Sequence, residues 1–76
     1  MDKNTALEMI SKEHDKAVSK FGKFHTQHEG YAVILEELDE LWDEIKKNQK
    51  NYDIEAQRKE AMQISAIALR FMVDCT

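Results

Sequence analysis

Four oxygen-bearing side chains set the first question. Glu37 and Glu40 stand three residues apart, and so do Glu60 and Gln63. On a helix, residues at i and i+3 are neighbours on one flank, so each pair can converge on one ion. Two such pairs facing each other make an oxygen-rich site for a hard divalent cation. Magnesium fits, because it takes oxygen ligands, keeps several waters and binds substrate phosphates. Glu37 and Glu40 belong to an acidic run, in which six of the nine residues from Glu36 to Glu44 are Asp or Glu. Like charges at i,i+4 cost an isolated helix roughly 0.2–0.5 kcal/mol per pair, so the run asks for a reason. With Leu38 as origin and about 100° per residue, Glu37 and Glu40 fall on one flank and Glu36, Asp39 and Asp43 on the other. The second flank reads as solvated surface. Glu36 is a fallback ligand, and Glu44 lies one turn beyond the site. The plain alternative is that the whole run is a solvated face that keeps a small bundle soluble.

The elements that must position these residues are helices. The 76-residue chain has no Pro, two Gly and 34% charged residues. Sustained apolar periodicity without strand-like alternation predicts one all-α domain. A first helix is expected from about Thr5 to Lys20, with Thr5 and Glu8 at capping-box spacing. Its stripe is Leu7, Ile10, His14, Ala17, Val18 and Phe21, with His14 at the core edge. Gly22 can end it in a left-handed conformation. Thr26 and Glu29 repeat the capping-box spacing and open a second helix near Gln27. Its apolar seam is Tyr31, Ile34, Leu35, Leu38, Leu41, Trp42 and Ile45. Lys46, Lys47 and Lys50 suit its C-terminal dipole. After a polar connection from Asn48 to Asp53, Asp53 caps a third helix that runs to about Asp74. Ten of the thirteen residues from Ala61 to Val73 are apolar, too many for a single stripe. The expectation is a three-helix bundle completed by a second subunit, packed partly on this third helix.

Charge and composition bound the function. A net charge of −4 argues against nonspecific nucleic-acid binding, and no basic recognition helix supports a helix-turn-helix reading. An acidic protein that handles a phosphate compound needs a cation between the two. The single cysteine, Cys75, excludes an internal disulfide, fits a reducing compartment and reads as a terminal thiol without a role. No secretory signal or membrane span is visible, so a soluble, cytoplasmic protein is expected.

The phrases HEGYAVILEELDELWDEI and RKEAMQISAIALRF carry a resemblance. Glu36-Glu37-x-x-Glu40 on one helix, followed after nineteen residues by Glu60-x-x-Gln63, resembles the MazG-like all-α nucleoside triphosphate pyrophosphatases. That family's pattern is E-x-x-E, a spacer, then E-x-x-D, and the phrases look like those of its small bacterial and phage members. The match covers roughly residues 21 to 74. It implies hydrolysis of a nucleoside triphosphate, ribo or deoxy, to the monophosphate and pyrophosphate, in nucleotide-pool cleaning or prophage metabolism. It also implies magnesium, with manganese as a substitute, and a dimer or tetramer of helices. Carried over, Glu37, Glu40 and Glu60 are metal ligands, and Glu37 or Glu40 is the base. Gln63 stands where the family has an aspartate. A neutral amide ligates through its oxygen but removes one negative charge from the site. The alternative is therefore a non-catalytic helical oligomer, an interaction or regulatory module that keeps the fold with a degenerate metal site.

Other residues carry weaker signals. Lys20, Lys23, Lys59 and Arg70 are candidate phosphate contacts, against the reading of solvated lysines and an Arg70–Asp74 pair at i,i+4. His28 is a candidate for the nucleotide pocket, against surface chemistry beside a helix cap, which is also the reading of His25. Tyr31 and Trp42 read as core, with base stacking as the other option. Met9, Met62 and Met72 read as gap fillers in a core or interface.

Overall fold

Three helices form, each opened by a side chain that accepts a hydrogen bond from an otherwise orphaned amide. The computed structural model describes residues 1–47 and 53–76. Helix α1 spans Lys3–Phe21, α2 Gln27–Lys46 and α3 Ile54–Cys75. Asp2 caps α1, accepting from the Thr5 amide at 2.9 Å. The expected start at Thr5 is thus two residues late, because the Asp2 carboxylate reaches the amide three residues on. Thr26 caps α2 through the Glu29 amide at 3.0 Å. Asp53 caps α3 through the amides of Glu55 and Ala56. Gly22 ends α1 with φ 72° and ψ −155°, a region essentially confined to glycine. The expected connection after α2, including Lys50, lies outside the described residues except for Asp53.

Helix α3 is the centre of the molecule. Both α1 and α2 pack on it and, among the described residues, not on each other. The shortest dimension is 19 Å, about two helix diameters. The apolar excess of α3 therefore has neighbours within the chain. Ala66, Ile67 and Arg70 are its buried residues, while Met72 near its end is exposed and fills no gap in the core of this chain.

Helix α2 is turned differently from the face its apolar residues suggest. Its covered stripe is Gly30, Val33, Ile34, Glu37, Leu41 and Glu44. The residues Tyr31, Leu35, Leu38, Trp42 and Ile45 are exposed, Tyr31 at 65% and Trp42 at 57%. On a helical wheel the two stripes are about 110° apart. Of the expected seam only Ile34 and Leu41 turn inward, so Tyr31 and Trp42 are not core residues of this chain. Helix α1 shows the same effect. Ile10, His14 and Ala17 are half-buried, with Glu13 beside them, but Leu7, Val18 and Phe21 are exposed. A helix that touches one neighbour only can cover one narrow stripe. His14 holds the expected core-edge position, with its Nε2 buried and unpartnered among the described residues.

Helix α2 meets α3 without room for a side chain at Gly30. A Cβ placed there would lie 2.7 Å from Cδ2 of Phe71 and 3.4 Å from Cδ2 of Phe24. Two aromatic rings fill the space that a side chain would need. Gly30→Ala is expected to destabilise the protein by about 1–2 kcal/mol, overpacking outweighing the better helix propensity. Urea unfolding of Gly30→Ala and of Gly30→Ala/Phe71→Leu checks this, the second change restoring stability by making room.

Candidate metal centre

Because α1 and α2 splay apart on α3, a cleft of about 660 Å³ opens between them. Its floor is one flank of α3: Glu60, Gln63, Ile67 and Arg70 all line it, as their spacing predicted. One wall is the covered edge of α2, with Val33, Glu37 and Glu40. The other is α1, with Glu13, Lys16 and Lys20. Phe24, in the turn between α1 and α2, closes one end.

The three carboxylates of Glu37, Glu40 and Glu60 meet at the junction of α2 and α3. One oxygen from each lies within 4.8 Å of the others. Glu37 and Glu60 are half-buried and Glu40 is exposed. Glu40 is the bridging member, its carboxylate acting on both of the other two. Burial, followed by the hydrogen bond to Glu40 and the charges of Glu40, Glu60 and Glu36, pushes the Glu37 carboxyl up to about 7. Burial and Glu40 also raise Glu60, against a smaller opposing effect of Lys59. Oε2 of Glu60 is buried and without a hydrogen-bond partner among the described residues. The cluster thus holds more negative charge than the protein neutralises.

The rest of the acidic run divides as the helical angles predicted. Glu36, Asp39 and Asp43 are exposed, and Asp43 pairs with Lys46 at 3.2 Å. Glu44 is tied to Lys47 at 2.9 Å.

Arg70 is the cation that the floor supplies. It is only 5% exposed. Its Nη2 donates to the Gly22 carbonyl at 2.9 Å, and its guanidinium stacks 4.0 Å from the Phe24 ring centroid. Its Nε is buried without a partner among the described residues. The expected pair with Asp74 does not form, because the Asp74 carboxylate accepts from the Phe24 amide at 3.0 Å. Both side chains instead pin the α1–α2 turn to α3. Lys59 lines the cleft and is exposed.

Two expected substrate contacts lie elsewhere. His28 and Lys23 are exposed and do not line the cleft. His25 pairs with Glu29 at 3.2 Å beside the cap of α2, which is surface chemistry as read. Cys75 is half-buried in the last turn of α3. Sequence reasoning missed Glu13 and Lys16. Glu13 lies within the charged run Lys12–Lys16, beside the α1 stripe, and its one signal is a position three residues from both Ile10 and Lys16.

Comparison with family models, with curated proteins and with solved structures gives no match for this chain.

The three carboxylates suit a hard cation by donor type, and the fit has a pH signature. Glu37 must lose its proton before it ligates. Below about pH 7, apparent Mn²⁺ affinity is expected to fall about tenfold per pH unit, with one proton released per ion. Above it the affinity levels off. Calorimetry from pH 5.5 to 8.5 in buffers of different ionisation enthalpy measures both quantities.

Proposed function

We propose that the protein is a magnesium-dependent nucleoside triphosphate pyrophosphohydrolase, converting an NTP or dNTP and water to the monophosphate and pyrophosphate. The observation that carries this reading is one cleft with two opposed charge features. An under-neutralised carboxylate trio, Glu37, Glu40 and Glu60, lies at one place, and a buried arginine whose Nε has no partner among the described residues at another. That pairing suits a ligand that brings both a cation and phosphate oxygens. The sequence resemblance to the MazG-like pyrophosphatases supports the same reading.

Glu37, Glu40 and Glu60 would hold the ion, with Gln63 as a neutral oxygen ligand. Bound Mg²⁺, or Mn²⁺ in its place, would neutralise phosphate charge and polarise the phosphorus under attack. Arg70, Lys59, Lys16 and Lys20 offset the remaining charge of the phosphate chain. A carboxylate of the trio, Glu37 or Glu40, orients the attacking water and takes its proton. The oxygen of that water bonds to the α-phosphorus, the bond to the bridging oxygen of the β-phosphate breaks, and pyrophosphate leaves. Hydrolysis in ¹⁸O-water separates this reaction from others. Label in the monophosphate supports attack at the α-phosphorus. Label in inorganic phosphate or pyrophosphate, or no turnover across a panel of canonical and modified triphosphates, contradicts it.

The proposed active form is a homo-oligomer, with the exposed seam of α2 as its interface. Tyr31, Leu35, Leu38, Trp42 and Ile45 follow each other at four- and three-residue steps, the a/d spacing of helices that pack on another helix. Five large apolar residues exposed in one row mark an interaction surface. Leu38→Asp/Trp42→Asp is expected to convert a dimer or tetramer to a monomer at micromolar concentration, as sedimentation velocity would show. The second reading, a helical oligomer without hydrolysis, takes its support from the same seam and from Gln63.

A further inference from the structure

A hydrogen bond that the carboxylate trio does not use ties the cleft floor to α1. Nε2 of Gln63 donates to Oε1 of Glu13 at 3.0 Å. Apart from the contacts within the trio, it is, among the described residues, the one hydrogen bond between side chains of different helices. Both residues line the cleft. Gln63 follows Glu60 by one turn on the flank of α3 that carries the trio's third member.

The chemistry of the two groups fixes which end of the amide faces which way. An ionised carboxylate accepts hydrogen bonds and donates none. Only the NH₂ end of Gln63 can therefore face Glu13, and the carbonyl oxygen is left as the end not committed to α1. Without Glu13, the planar amide could turn over and offer NH₂ to a cation, which repels it. An aspartate at position 63 could not share this contact, because two carboxylates would then meet with no proton or donor between them. Glu13 also brings a carboxylate into the cleft from α1, the helix that carries none of the trio.

We propose that Glu13 is a positioning residue of the cation centre: it holds the Gln63 carboxamide so that its oxygen is the end offered to the ion, and it adds from α1 a negative charge that position 63 lacks. Glu13 and Gln63 then form a matched pair, with the charge on α1 and the neutral ligand on α3. The proposal rests on the reading of Glu37, Glu40 and Glu60 as a cation centre.

The pair predicts a charge-swap result. Outer partners of metal ligands change metal affinity about 10–100-fold when removed. Mn²⁺ affinity is measured by calorimetry at pH 8 on the full chain, alongside the melting temperature in EDTA. Glu13→Ala is expected to weaken Mn²⁺ binding about tenfold or more with little change in metal-free melting. Glu13→Gln keeps an acceptor for the Gln63 NH₂ and should lose less. Gln63→Asp alone should weaken binding, despite its added charge. The double variant Glu13→Gln/Gln63→Asp should return to within about threefold of the wild type, an effect small against the outer-partner range. In ¹⁵N-labelled protein the Gln63 side-chain amide resonances should move on addition of Mg²⁺. Unchanged affinity in Glu13→Ala, or tighter binding by Gln63→Asp alone, overturns the proposal. If Glu37→Gln loses Mn²⁺ at the same time, the cation centre itself stands. A wild type that binds no Mn²⁺ at millimolar concentration overturns that parent reading and the proposal with it.

Discussion

Glu37→Gln is expected to abolish divalent-cation binding, reduce hydrolysis by about 10²–10³-fold and make the metal-free protein more stable at neutral pH. The opposite signs distinguish a functional carboxylate from a structural one. Glu37 is raised to about 7 by burial and by its carboxylate neighbours, against about 4.3 in an unfolded chain. Between those values the folded state binds more protons than the unfolded state. Stability of the metal-free protein therefore falls as pH rises from about 4.3 to about 7, and then levels off. Glu60, raised for the same reasons, adds to the slope. A glutamine of the same shape carries no charge to repel, so the variant loses most of this slope. Its advantage at pH 7.5 should be on the order of 1 kcal/mol, because solvent reaches the cluster and screens the repulsion. For a chain of this length that is a rise of about 4–8 °C in Tm. Thermal melts in EDTA at pH 5 and pH 7.5 give the comparison. A variant no more stable than the wild type at pH 7.5 contradicts the account of the charge cluster.

The second large effect is expected at Arg70. This side chain holds the α1–α2 turn to α3 through the Gly22 carbonyl and the Phe24 ring. Arg70→Ala removes both contacts and leaves a cavity in a core whose other buried apolar residues are Phe24, Ala66 and Ile67. A cost of about 3 kcal/mol follows, a large share of the total for any small domain. Arg70→Met separates packing from charge. It fills most of the space, and release of a buried guanidinium offsets part of the lost hydrogen bond. It should fold with a loss of about 1 kcal/mol and still bind Mn²⁺. Its kcat/KM for a nucleoside triphosphate should fall about 10²-fold, as when a preorganised donor to phosphate charge is lost. Arg70→Lys should not rescue it, since a lysine cannot reproduce the flat guanidinium stack on Phe24. Full activity in Arg70→Met removes Arg70 from the substrate site and leaves it a structural role.

Much of this arrangement was legible in the sequence, and the failures have physical causes. The caps at Thr26 and Asp53 were readable because a hydroxyl or carboxylate ahead of an apolar run has one obvious use. The flank of Glu60, Gln63, Ile67 and Arg70 was readable because helical angle alone puts these residues in line. The inward face of α2 was not. Its apolar residues mark the side that avoids water, and periodicity does not say which neighbour covers that side. Tyr31, Leu35, Leu38, Trp42 and Ile45 form the apolar stripe, while Gly30, Glu37 and Leu41 meet α3. The glutamates could turn inward because α1 and α2 do not close over them. Gly30 was the missed clue, a glycine inside a helix of a chain with only two. Glu13 was invisible for a different reason. In the run Ser11 to Lys16 charges of both signs are mixed as on any solvated face, and its partner Gln63 lies fifty residues away.

The central claim is that Glu37, Glu40 and Glu60 hold a divalent cation between α2 and α3. Anomalous diffraction from crystals grown with Mn²⁺ and a non-hydrolysable nucleoside triphosphate tests it most directly. The predicted result is a peak with oxygens of all three glutamates at roughly 2.0–2.3 Å, near the short distances of small hard cations. It should also show nucleotide phosphate oxygens on the ion and the Arg70 guanidinium beside the phosphate chain. A peak elsewhere with the three carboxylates turned apart into solvent, or no peak at saturating Mn²⁺, would contradict it.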